Sequence, residues 1–167
     1  MDNGSAGEAL AELYVAAAGG EAEAFDALTD VALFHASTDI PPREALAAAE
    51  LLARLGSING GLAGKKKLAA VLLMRSANLA EDDADRAGNL LWQAVATLED
   101  LASVGAPDAS VCLLHHLGLM ADSGDDGAGV LLNSWVGRLP THVVRLASDF
   151  ARRLIEVAGN HTRPKGL

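Results

Sequence analysis

The sequence has little of what marks several common protein classes. It contains one cysteine, so no disulfide can form within the chain, and a disulfide-stapled secreted scaffold is excluded. Its longest apolar runs, such as residues 68–74, are far shorter than the roughly 20 residues that span a bilayer. The first ten residues, MDNGSAGEAL, have neither the cationic nor the apolar region of a signal peptide. We therefore expect a cytoplasmic protein that has no membrane partner.

Aromatic residues are also scarce, at 4% of the chain, although half of the residues are hydrophobic. The apolar content is therefore mostly alanine and leucine, which favour helices. No run alternates β-branched and polar residues as a strand would. At 167 residues the chain needs only one domain to bury a core. The composition predicts a single all-α domain over residues 1–159, followed by a flexible tail over residues 160–167.

A net positive charge is lacking as well. The formal net charge of −9 argues against a nucleic-acid partner, which would need a clustered positive surface. The charge falls in bands, with a net −8 over residues 1–55, +4 over 56–80, −9 over 81–127 and +4 over 128–167. Such bands can steer a protein partner or a second copy of the chain. They can equally be solvated faces that neutralise one another in the folded protein.

Apolar residues recur with the 3.6-residue period of helices, and Gly, Pro and Asp interrupt the pattern. We expect eight helices near residues 5–18, 21–36, 42–55, 65–79, 83–104, 107–120, 127–138 and 140–159. The glycine-rich segment GSINGGLAG, residues 56–64, is predicted to be a loop or hinge. The expected architecture is a set of antiparallel helix pairs stacked as a short irregular α-solenoid, with a helical bundle as the alternative.

A short pattern, Ala-x-x-Gly-x-x-x-Ala-x-x-x-Leu, occurs three times, with its glycine at Gly20, Gly105 and Gly124. It predicts that one helix ends in a small residue and that glycine takes a left-handed turn. The next helix then brings alanine to the crossing and leucine to the core. The pattern resembles the Sel-one-like branch of the tetratricopeptide repeat family, whose antiparallel helix pairs stack into a solenoid. This resemblance implies a non-catalytic protein-binding scaffold; a self-associating structural bundle is the alternative.

Four residues are predicted to contact a partner. Lys65, Lys66 and Lys67 form the only basic run in an acidic chain and lie at the amino end of a predicted helix, where positive charge is unfavourable. They could contact an acidic surface on a partner or a second copy, or simply form a solvated helix start. We expect their replacement by glutamate to leave stability unchanged or slightly higher. Trp92 lies off the apolar stripe of its helix, so it either packs against the next layer or contacts a partner.

Cys112, His115 and His116 lie within five residues, and such a trio could ligate a metal. A zinc site needs three or four converging ligands, and one helix cannot turn all three of these side chains equally to one point. We therefore favour a buried helix with a core thiol, one buried histidine and one at the boundary. Phosphate-binding loops and di-iron motifs are absent from the sequence. We predict no enzyme, no catalytic residues, no cofactor and no metal, and a metal-binding protein is the weaker alternative.

Overall fold

The structure is a computed structural model that describes residues 3–38 and 43–161, with side chains described for residues 7–38 and 43–154. This part of the chain is all-α, as predicted, and forms eight helices without a strand. They are α1 (Asn3–Ala18), α2 (Ala22–Thr38), α3 (Arg43–Asn59), α4 (Gly61–Leu79), α5 (Ala84–Ser103), α6 (Pro107–Asp122), α7 (Asp126–Arg138) and α8 (Thr141–His161). None of these described helices has the length and apolar content needed to cross a membrane.

The helix ends differ from the predicted ones mostly by one to four residues. The final helix α8 continues to His161, two residues beyond its predicted end, and the rest of the predicted tail, residues 162–167, lies outside the described residues. The predicted loop around Pro41 and Pro42 also lies outside them.

The chain divides into two compact units, Met1–Thr97 and Leu98–Leu167, and α5 runs across their boundary. A single domain over residues 1–159 stays a prediction. In the first unit, helices that follow one another in the chain pack side by side. Small residues such as Ala49 and Ala53 fill the space between α2, α3 and α4, together with Val71. Alanine at these positions lets the helix axes approach closely.

In the second unit, α6 packs against both α7 and α8. Leu113 and Leu117 of α6 are fully buried. Trp135 of α7 is also buried, and its Nε1–H donates a hydrogen bond of 2.7 Å to Glu99 Oε1. Asp125 caps α7 by accepting a hydrogen bond from the backbone N–H of Ala128. Helix α6 therefore lies at the centre of this unit, in contact with both α7 and α8.

The three glycine turns adopt the predicted left-handed conformation. The φ angles are 87° at Gly20, 83° at Gly105 and 97° at Gly124. At each turn the glycine N–H donates to the carbonyl three residues earlier, and the next N–H donates to the carbonyl five residues before it. The recurring pattern therefore encodes one repeated helix-ending turn. These turns alone do not identify a family, so the resemblance to the tetratricopeptide repeat family stays a prediction.

The prediction of a loose hinge over residues 56–64 is wrong. Helix α3 continues to Asn59, α4 begins at Gly61, and Gly60 alone separates them. A Cβ placed on Gly64 would lie 2.8 Å from the Gly56 carbonyl oxygen, closer than real atoms approach. Gly60 and Gly64 leave room for backbone atoms where side chains would clash, so they tighten the hairpin and do not loosen it.

Candidate functional site

The basic run lies within α4 and not at its first residues, because α4 begins at Gly61. Lys67 Nζ lies 2.5 Å from Asp30 Oδ1 and 3.3 Å from Asp26 Oδ1, both on α2. Desolvation lowers the pKa of Lys67, but the hydrogen bond to Asp30 and the charges of both aspartates outweigh it and raise the pKa overall. The ammonium therefore stays charged and links α4 to α2.

This pairing changes the expectation for glutamate substitutions. A glutamate at position 67 would add a third carboxylate beside Asp26 and Asp30, so unchanged stability is no longer expected there. Lys65 is half-buried and Lys66 is exposed. Contact of the three lysines with a partner stays a prediction.

Trp92 is 38% exposed on α5. Helices α3 and α5 are joined where Arg54 Nη2 donates a hydrogen bond of 2.6 Å to Gln93 Oε1. The side chain of Trp92 is accessible, and its contact with a partner stays a prediction.

In the second unit, an open groove of about 700 Å³ lies between α6 and α8. On α8, its wall is formed by Leu146, Phe150 and Leu154, which are 52%, 43% and 41% exposed. On α6, it is formed by Val111, Cys112 and the two histidines. Since positions i, i+4 and i+8 share one helix face, the three α8 side chains form a continuous apolar strip.

The histidines have different environments in this groove. The His115 ring meets Phe150 edge to face, with ring centroids 5.3 Å apart, and meets His116 in the same way at 5.2 Å. Desolvation, followed by the neighbouring His116, lowers the pKa of His115, so its ring stays neutral near pH 7. His116 Nδ1 lies 2.9 Å from the Cys112 carbonyl oxygen. Because a carbonyl can only accept, Nδ1 carries the proton and donates.

The Cys112 thiol is not activated. Its sulfur lies 3.6 Å from His116 Nδ1, but burial and then Asp108 raise the pKa of the thiol. A raised pKa leaves less of the nucleophilic thiolate. Among the residues with described side chains, no three His, Cys, Asp or Glu groups come together as a metal site would require. The groove therefore offers a mostly apolar surface for packing, lined also by Asp108, Asp149 and Arg153.

One prediction about α6 is wrong, because neither His115 nor His116 is buried. On α8, Val143 and Ala147 are buried, whereas Phe150 and Leu154 are open to solvent. Periodicity identifies the apolar face of a helix, but it does not show whether a neighbouring helix covers that face. The groove lies where α8 carries apolar residues that α6 leaves uncovered.

The fold and the groove define an all-α protein with an open, mostly apolar groove between α6 and α8. Comparison with models of known protein families, with curated proteins and with solved structures finds no match.

Proposed function

We propose that this chain is a non-catalytic protein-interaction module of the helical-repeat type, and that the groove between α6 and α8 is its docking surface. One observation carries the proposal: Leu146, Phe150 and Leu154 stay exposed in one strip beside α6. Exposed apolar side chains gathered in one place are typical of interaction sites. Phe150 is the expected anchor, because aromatic residues dominate the energetics of interfaces.

The groove fits the apolar side of a helix. Partners of this kind place residues at i, i+3 or i+4 and i+7 into a groove between helices. The neutral His115 and the protonated Cys112 thiol support packing over chemistry. The three repeated glycine turns support the proposed repeat character. We also propose a cytosolic location, which the single, unpaired cysteine supports.

Binding through this groove can be tested with a matched pair of variants. Leu146→Ser/Leu154→Ser removes two apolar side chains from the groove, and Leu51→Ser/Leu62→Ser removes two comparably exposed leucines elsewhere. Each protein is immobilised and incubated with an extract of its own host cells, and the bound proteins are compared by mass spectrometry. We expect the wild-type and control proteins to retain a partner that the groove variant loses by about tenfold or more.

Circular dichroism and thermal unfolding establish that both variants are folded. If all three proteins retain the same partners at the same level, the groove is not the docking surface and the proposed function is wrong.

A further inference from the structure

A small pocket of about 250 Å³ lies in the first unit, where α2 meets the α3–α4 hairpin. Its inner wall is apolar, since Ala53 and Gly56 are buried and Phe25 and Leu52 are half-buried. The buried Thr29 also lines the pocket, but its hydroxyl already donates a hydrogen bond of 2.7 Å to the Phe25 carbonyl oxygen. The wall therefore favours an aliphatic group, and the volume suits a ligand smaller than a drug-sized molecule.

The rim of this pocket is acidic. Glu23, Asp26 and Asp30 line it from α2, and all three are exposed. They lie at i, i+3 and i+7, so they share one face of the helix. Among the described residues that line the pocket, Lys67 is the one base. Three carboxylates that face one ammonium group leave two negative charges in excess.

The fold accounts for only part of this excess. The dipole of α2 favours Glu23 in the first turn, but Asp26 and Asp30 lie beyond that turn. Lys67 pairs with both aspartates, yet their side chains remain 48% and 60% exposed, so their carboxylates can accept further hydrogen bonds. Among the residues with described side chains, no three His, Cys, Asp or Glu groups converge on one point. A bare metal ion is therefore a poor fit, whereas an extended organic cation can reach carboxylates that are spread along a helix.

We propose that this pocket binds an alkyl ammonium ion, with its aliphatic chain on the apolar wall and its charged end among the carboxylates of the rim. A hydrogen bond between an ammonium group and a carboxylate is stronger than one between neutral groups. Free aliphatic amines and the lysine side chain of a peptide share this chemistry. For so small a ligand in an open site, we expect a dissociation constant of about 0.1–1 mM.

The test is a titration of the isotope-labelled full chain, followed through the NMR signals of its backbone amides. Two probes carry the ammonium group on an aliphatic chain, cadaverine and Nα-acetyl-lysine amide, and pentanol is the uncharged control. We expect at least one ammonium probe to give saturable shifts in α2 and the α3–α4 hairpin, and pentanol to bind about tenfold more weakly or not at all. Binding of cadaverine alone would identify a free amine as the ligand. Binding of the lysine derivative alone would identify a peptide side chain.

Two variants distinguish the pocket from a general attraction of cations to an acidic protein. Glu23→Gln/Asp26→Asn removes two charges from the rim and keeps the closer pair of Lys67 with Asp30. Ala27→Leu fills the pocket without changing its charge. Each should weaken binding by about tenfold or more. The control Glu8→Gln/Glu12→Gln makes the same change of charge on exposed positions that do not line the pocket, and it should bind as the wild type does.

Circular dichroism establishes that each variant is folded, and either pocket variant suffices if the other does not fold. The inference is overturned if neither ammonium probe shifts the amides around the pocket, or if the control loses as much affinity as the rim variant. Binding that survives Ala27→Leu also overturns it, because surface charge would then be enough. None of these outcomes affects the proposed function, since the groove between α6 and α8 shares no residue with this pocket.

Discussion

Gly60 and Gly64 hold α3 and α4 at a distance that side chains would prevent. A Cβ on Gly64 would lie 2.8 Å from the Gly56 carbonyl oxygen and 3.0 Å from Ser57 Cα. Both obstacles are backbone atoms, so a rotamer change cannot relieve the clash. On the same helix as Gly64, Lys67 pairs with two aspartates of α2.

We predict that Gly64→Ala lowers the free energy of unfolding by about 1–3 kcal/mol, the usual cost of overpacking. Gly88→Ala is the matched control, because a Cβ at Gly88 on α5 meets no atom within 4 Å. In that open helical position, alanine should stabilise the protein by about 0.5–1 kcal/mol. Urea unfolding measures both changes. Equal effects of the two substitutions would contradict the tight packing of the α3–α4 hairpin.

Helices α3 and α4 are also joined by a buried ion pair. Glu50 is buried, its carboxylate pairs with Arg75 of α4, and its Oε1 accepts a hydrogen bond of 2.8 Å from Arg54 Nε. Arg54 continues the network to Gln93 on α5. A buried charge without its partner is costly, although the complete pair need not be more stable than apolar residues of the same volume.

Glu50→Gln leaves Arg75 without a counter-charge, so we predict that it lowers the free energy of unfolding by about 3 kcal/mol. The double variant Glu50→Leu/Arg75→Met removes both charges and should recover most of this loss. Arg43→Gln breaks the exposed Arg43–Asp82 pair and serves as the control, with an expected loss below about 1 kcal/mol. Thermal and urea unfolding provide the comparison. If the double variant is less stable than Glu50→Gln, removing both charges does not recover the loss. The intact ion pair would then stabilise the fold more than the apolar residues that replace it.

The elements differ in how far the sequence predicts them. Alanine, leucine and a 3.6-residue period are local signals, and they predict all eight described helices. The turns at Gly20, Gly105 and Gly124 are also local, because a left-handed residue after a helix favours glycine. The α3–α4 hairpin was missed because glycines in a loop and glycines at a helix contact look alike in sequence. The open groove was missed because the coverage of Phe150 depends on where α6 lies.

At the scale of the whole molecule, the net charge and the apolar groove respond differently to salt. With a net charge of −9 the chain repels other acidic molecules, whereas the surface between α6 and α8 is mostly apolar. The Debye length is about 30 Å at 0.01 M salt and about 10 Å at 0.1 M. Repulsion between whole molecules acts over the longer distance, so salt screens it first. Above about 0.1 M, the remaining salt dependence comes from charges close to the contact.

We therefore predict that partner capture by the groove changes by less than about threefold as sodium chloride rises from about 0.1 M to about 0.5 M, since apolar burial does not depend on screening. The captured protein is quantified by mass spectrometry at each salt concentration, with Leu146→Ser/Leu154→Ser and Leu51→Ser/Leu62→Ser as the comparison variants. A capture that falls by about tenfold or more over this range would mean that charged contacts hold the partner and that the apolar strip is not the basis of binding.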